Sequence, residues 1–508
     1  MRGMKQMKHI IWISLLCFFL MEANAQKTNV VLENSETLSF DKARGESFQV
    51  LRGNVRFRHG NVKMYCDSAY FYDGKNSFDA FGHVKVVQPD SFTVTSNKMF
   101  YDGNFQLLRA RGNVVMDNSE FVLHTENFDY YKGKGYGYYF DGGKIVDPQY
   151  VLTSERGYYY PGPKKSTFKR NVKLENPNLT IVSDTLLFDS KHDVATLVGP
   201  SHLYYKDYTV YTDNGWANTK TNEGALFNYS VITSKDGKRI TADTILFNKS
   251  EGWARAYRNV DLQDSARNMI IRGNKGAFCE NPRSAFVTQK PYVIKYAPKE
   301  DSLFLHADTL RFLEVDSTER LIRAYYNVRF YRKDLQGKCD SLAYNTADSI
   351  MQMFVNPVIW SEENQLTGDQ INIYMDGSSP KLIHIVKNAM IVSECEGATE
   401  NFNQLSSKES KGYIIDNQIR KIDMIGNARS IYFPEDKNGD PMVNKAEGDF
   451  MSIYLKNKKL EKIVMKPEPR GVLYPLSKVE KEDLFLRGFS WQKDARPTSW
   501  EDIFRHTK

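Results

Sequence analysis

Residues 67–101 read DSAYFYDGKNSFDAFGHVKVVQPDSFTVTSNKMFY, and this stretch decides the fold. It opens on Asp67-Ser68-Ala69-Tyr70-Phe71 and closes on Asn97-Lys98-Met99-Phe100-Tyr101. Both ends follow one pattern: acidic or amide residue, any, apolar, any, aromatic. Positions two and four after the first residue share parity, so an extended chain points both to one face. A second anchor, His83 within Gly82-His83-Val84, follows Asp67 by 16 residues.

The pattern recurs on both sides of this stretch. Upstream it stands at Glu36–Phe40; downstream it continues through Glu126–Tyr130, Glu155–Tyr159, Asp184–Phe188 and Asp243–Phe247. Asn274–Phe278, Asp308–Phe312, Asp340–Tyr344 and Asp369–Ile373 follow, with Asp213–Ala217 a degenerate copy and looser ones near Glu409 and Asp449. The mean step is about 30 residues, which marks a repeat architecture. The second anchor returns as Asn113, Asn171, Asn259 and Asn356, among others. Length alone would suggest three or four domains, but the repeat overrules that.

β-branched and aromatic residues dominate each unit and helical periodicity is nearly absent. Gly-Asn, Asp-Gly and Asn-Pro pairs read as turns, giving two or three short strands per repeat. The recurring acid reads as an Asx-type turn before a strand. One repeat cannot bury its aromatic face alone, whereas stacked repeats bury a continuous one. The expectation is all-β: an elongated antiparallel solenoid of about 14 repeats of roughly 30 residues, with an apolar slot between two facing sheets.

The ends differ from the middle. Arg2, Lys5 and Lys8 precede an apolar stretch, Ile10 to Leu20, and Ala23-Asn24-Ala25 supplies a cleavage pattern. Residues 1–25 therefore read as a secretory signal peptide, and the compartment as the periplasm. The repeat region spans 26–474 and a charged tail 475–508. In the tail Ser499 is placed to N-cap a short helix over Trp500–Phe504, which caps the last strands or docks on a partner. The polar stretch Glu394–Ser410 reads as a protruding loop, and Asp436–Asp440 as a polar hairpin turn rather than a calcium loop, since it lacks the downstream bidentate Glu.

Composition narrows the function. The formal charge is +7, of which the first 25 residues carry +2, with Lys and Arg spread along the chain. That excludes a nucleic-acid footprint. Cys66, Cys279, Cys339 and Cys395 are too sparse for a disulfide framework. Cys66 and Cys339 hold equivalent repeat positions and read as small core-facing residues. Nine scattered histidines show no metal-ligand spacing. A catalytic carboxylate pair occurs once in an enzyme, whereas this acid recurs throughout and is swapped for Asn. No cofactor, metal or enzyme signature emerges. Asp-Ser/Thr-apolar triplets such as Asp184-Thr185-Leu186 resemble an O-glycan acceptor motif, although several fall in the repeat phase.

Gly53-Asn54-Val55, Gly82-His83-Val84, Gly112-Asn113-Val114 and Gly426-Asn427-Ala428, each after an acidic-x-apolar-x-aromatic strand, resemble the OstA-like family of lipopolysaccharide-transport bridge proteins. Resemblance is densest from Leu51 to Val172. It implies a β-jelly-roll or "β-taco", a V of antiparallel strands whose apolar groove holds lipid A acyl chains. It also implies a periplasmic, non-enzymatic role in outer-membrane assembly. Partners would be lipopolysaccharide and other transport proteins or further copies, joined edge to edge. A typical bridge protein is much shorter, so this chain corresponds to several in series, and no C-terminal membrane barrel is evident. By parity the groove candidates are Phe71, Met99, Tyr101, Phe128, Tyr130, Leu186, Phe188, Ile245 and Phe247. The residues themselves leave one alternative open, a structural or adhesive solenoid whose aromatic stripe is closed core.

Overall fold

Each long strand is bent at its anchor residue, and the bend builds the architecture. In the computed structural model, the described residues are 29–40, 48–89, 91–297, 300–316, 319–377, 379–395, 400–416, 418–434, 441–456 and 459–505. The stretches read from sequence as a signal peptide, 1–25, and as a hairpin turn, Asp436–Asp440, lie outside them. The chain divides into two compact units, Met1–Val198 and Gly199–Lys508.

The first unit is an antiparallel meander of strands that include Gln49–His59, Val62–Tyr72, Ser77–Gln88, Phe92–Asp102, Leu107–Asp117 and Val122–Tyr131. These strands are long, two to a repeat, rather than the two or three short ones expected. Each pairing carries one register shift near its middle, for example between Arg52 and Val55, Tyr65 and Ser68, and Phe81 and Val84. A bulge of this kind bends a strand sharply and adds twist. One half of every strand therefore belongs to one sheet and the other half to a second sheet facing it. Phe57, after the bend of its strand, stacks on Phe78, from the half before the bend of another, with ring centroids 4.2 Å apart.

The second unit repeats the plan. Lys238–Asn248, Trp253–Asp264, Arg320–Arg332 and Leu335–Asn345 are bent long strands. Elsewhere the halves separate into distinct strands, such as Val358–Ser361 and Ile350–Phe354. Its core includes Leu310, Val328, Met353, Ile359, Ile371 and Ile385, drawn from both sheets. The stretch expected to protrude as a loop is mostly strand: Phe402–Ser407 pairs with Ala389–Glu394, and Glu409–Ile415 pairs with Ser379–Val386. Its buried residues, Gln404, Ser407 and Ser410, are themselves polar, so polarity there does not mark a loop.

The corner explains the repeat's two anchors. The acid sits at the bend, inside a long strand at Asp67 and between two shorter strands at Glu155, Asp308 and Asp369. Its carboxylate accepts a hydrogen bond from the amide of the second anchor on the adjacent strand. Glu155 accepts from Asn171 at 2.5 Å, Asp308 from Asn327 at 2.8 Å and Asp369 from Asn388 at 3.0 Å. At Asp67 the partner is His83 Nδ1, at 2.7 Å. The second anchor is one of two successive residues with positive φ, such as Gly82 (+73°) and His83 (+42°), or Gly112 (+76°) and Asn113 (+49°). Glycine and asparagine tolerate that region best. So Gly-Asn-Val marks a corner within a strand and not a hairpin turn.

Strands end at Arg470–Pro475, and only short 3-10 turns follow. The tail neither caps the last strands nor projects free; it runs back over the second unit's own sheet. Trp500, not Ser499, holds the N-cap position of the turn Glu501–Phe504, and no side chain caps it. Asp502 instead accepts from the Thr498 hydroxyl at 2.6 Å and the Thr498 main-chain N–H at 2.8 Å.

Candidate lipid groove

The slot is lined from both sheets, and the bend sets which residues line it. After the anchor, residues two and four on face inward; before it, residues one and three back do, because the bulge inverts parity. The nine candidates by parity all lie on inward strand positions. Phe71, Met99, Tyr101, Phe128, Leu186 and Ile245 are buried, whereas Tyr130, Phe188 and Phe247 are half-buried. The last three stand four residues after their anchors, as do the buried Phe71 and Tyr101. Phe278, at the same repeat position, is 41% exposed.

The facing wall was missed from sequence. It consists of Phe57, Met64, Val94, Leu123, Leu152, Ile181 and Val210, all buried. The signal for it was the flanking alternation, read without knowing that parity inverts at the anchor.

Buried polar groups along the slot are satisfied. The residue just before the anchor is often Ser or Thr, and its hydroxyl donates to the carbonyl two residues on. Ser96 reaches Lys98 at 2.9 Å, Ser154 reaches Arg156 at 3.0 Å and Thr212 reaches Asn214 at 2.7 Å. A bulge frees a ladder carbonyl, and a buried carbonyl needs a partner. Cys66 and Cys339 take this position in their repeats; burial pushes both thiols up to about 12. His59 and Tyr101 share a hydrogen bond of 2.6 Å across the slot. Burial also holds the Tyr101 phenol well above its ordinary range, with Asp102 adding to it.

The interior is apolar and narrow. A cavity of about 80 Å³ is lined by Leu366, Ile383, Ile385, Ile391, Ile422 and Leu455 among others. Another of about 40 Å³ lies between Phe92, Phe128 and Tyr130. Among the described residues no group of three His, Cys, Asp or Glu side chains is placed to hold a metal ion. No described helix is long and apolar enough to cross a membrane.

Fold and slot define a class: antiparallel β-jelly-roll repeats folded as a V around an apolar interior. Residues 27–184 match the family described as OstA-like protein, and residues 209–378 match the LptA/(LptD N-terminal domain) LPS transport protein family. The chain thus carries an OstA-like segment followed by a segment similar to the LptA/(LptD N-terminal domain) LPS transport proteins. Among solved structures it is similar to LptH from Pseudomonas aeruginosa, titled the LptA-homologous periplasmic component of the lipopolysaccharide transport device. That match has 13% identity and a TM-score of 0.21, covering 28% of this chain and 98% of the other. No curated protein matches the chain significantly.

Proposed function

We propose that the chain is a non-enzymatic carrier of lipopolysaccharide in the periplasm, exported by its signal peptide and contributing to outer-membrane assembly. Lipid A acyl chains enter the slot from its open side, past Tyr130, Phe188, Phe247 and Phe278, while the glycan stays in water. The observation that carries this reading is an apolar interior within each unit, lined by buried side chains of facing strands, in a chain matching transport families over two stretches. Its buried hydroxyls are already bonded, so an acyl chain meets few unpaired polar groups. Each methylene transferred from water contributes about 0.8 kcal/mol.

The two interior cavities, about 40 and 80 Å³, are too small for an acyl chain, so filling them requires the facing walls to part. A hollow of about 780 Å³ lined by Trp253, Phe278 and Phe286 among others has room for one. A second reading, a structural solenoid with closed core, draws on the tight stacking of Phe57 and Phe78. Photocrosslinking separates the two. A photoreactive residue replaces Tyr101 or the half-buried Phe247, with the outward-parity Phe100 and Leu246 as controls. Crosslinks to added lipopolysaccharide at 101 and 247 but not at the controls support the carrier. None at either slot position, in protein whose circular dichroism is unchanged, sinks it.

A further inference from the structure

The outer face of one sheet in the second unit carries residues unlike those on the corresponding face of the first. Phe304, Tyr331, Gln336, Trp360, Gln365, Val392 and Gln404 stand opposite one another across successive strands. The equivalent line in the first unit mixes exposed charges, Arg58, Lys63, Asp117 and Glu175, with β-branched Val87, Thr93, Val122, Val146 and Val151, and has no aromatic or Gln. A solvated face suits charge; an aromatic and amide face calls for a cover. The tail supplies it. Trp360 and Gln365 are completely buried beneath the tail.

The grip on the tail is periodic and directed at its main chain. Gln404 Nε2 donates to the Leu484 carbonyl at 2.8 Å, and Gln404 Oε1 accepts from the Leu486 N–H at 2.8 Å. One repeat away Gln365 does the same six residues further along, donating to Ser490 at 2.6 Å and accepting from Gln492 at 2.8 Å. In the next repeat Gln336 accepts from the Arg496 side chain at 2.7 Å, and Arg329 donates to the Ala495 carbonyl at 3.1 Å. Aromatic contacts lie between these grips, Phe402 against Phe489 and Trp491, and beyond the last of them, Phe304 against Trp500 and His306 against Phe504. From Gln404 to Phe304 there are six strand steps, roughly 29 Å at about 4.8 Å each. The tail uses its short turns to fit its many residues into that distance.

We infer that this outer face is a polypeptide-binding track and that the tail from Leu484 to Arg505 is its ligand, a separable segment held by repeated amide grips. The tail adds no strand to either sheet, and the Gln side chains, not a β-ladder, hold its backbone. Of its described residues only Pro497 and Ile503 are buried, while the track beneath is almost fully covered. The link to the last strand, around Ser477 and Lys478, is exposed. This assignment does not depend on whether the slot carries lipid.

The test uses the full chain with a specific protease site inserted after Lys478. After cutting, a fluorescent synthetic peptide of residues 479–508 is added and exchange is followed by anisotropy and gel filtration. The expected result is that the cut tail stays bound and is replaced saturably by the peptide. A peptide N-methylated at Leu486 and Gln492 lacks both gripped donors and leaves the protein untouched; it should require at least tenfold more for half-exchange. A cut chain that loses its fold, or a tail that never exchanges in large excess of peptide, makes the tail an integral layer and overturns the inference. So does equal binding by the N-methylated peptide or by a reversed-order peptide.

Discussion

At the residue scale the corner is the demanding position. Gly82 has φ +73°, and a Cβ there would lie 2.3 Å from the Asp67 carboxylate oxygen that bonds His83. Gly60 has a similar φ, +63°, but nothing within 4 Å of the added atom. Gly60→Ala should therefore cost only the left-handed strain, about 1 kcal/mol, and Gly82→Ala about 2–4 kcal/mol, because the corner pair must also separate. Paired urea titrations of the two variants give the difference directly; equal midpoints would remove the corner from the account. The thiols offer a second check. Cys66 and Cys339 are buried and kept protonated, whereas Cys279 is half-exposed. A maleimide at pH 7.5 should label Cys279 in the native chain and leave Cys66 and Cys339 unmodified until denaturant is added, as read by peptide mass. In the tail, hydrogen bonds from Thr498 hold the Asp502 carboxyl below its ordinary value of 3.8. A depressed carboxylate stabilises the folded form above its unfolded pKa and loses that contribution as pH falls through the folded one. The last turn of the tail should thus be insensitive to pH from 8 to 5 and loosen only below about 4, followed by amide exchange at Asp502 and Ile503.

At the element scale the strands were largely legible and their bends were not. Alternation places Phe71, Met99 and Leu186 inward whatever the fold does beyond them, because strand parity is a local property. The bend depends on two consecutive positive-φ residues meeting an acid on the neighbouring strand, and that meeting is a tertiary fact. Asp67 and His83 can be seen as a 16-residue spacing, but not as a hydrogen-bonded pair. The tail's docking was equally hidden. Its trace in the sequence is weak: Trp360, Gln365 and Gln404 occupy outward positions where Lys63 or Glu175 stand in earlier repeats. Gln365 is the most exacting of these, since its Oε1 accepts from both the Gln492 N–H and the Trp360 indole N–H, at 2.8 and 3.1 Å. Gln365→Leu leaves those donors and the Ser490 carbonyl without that partner in a buried place, at a cost of about 1–3 kcal/mol. Hydrogen exchange should show the loss at residues 490–492 and across Val358–Ser361 and Asn364–Thr367. Unchanged protection there would mean the amide grip is incidental.

At the scale of the whole molecule the open question is what meets the sheet edges. In the first unit Val31–Asn34 and Thr37–Phe40 pair on one side only, with Gln49–His59, and Leu38 and Phe40 are about half exposed. In the second, among the described residues, Lys459–Lys466 and Arg470–Pro475 pair only with Met442–Lys456, and Leu460, Ile463 and Leu473 are exposed. Unpaired edges with apolar side chains invite a further strand. The last edge, with Lys462, Lys466 and Arg470, is basic and repels its like, whereas at the first edge Glu33 is paired with Arg58 and Glu36 bonds Asn54. We propose that copies join first edge to last edge, an association that leaves a free edge at each end and so continues. Two charge variants separate this from like-edge pairing. Leu38→Lys spoils the first edge alone, and Ile463→Lys the last alone. If unlike edges join, each variant by itself sediments as a monomer at concentrations where the unmodified chain forms longer species, and an equimolar mixture forms dimers and nothing larger. If like edges join, each variant still dimerises through its intact edge, and mixing adds nothing.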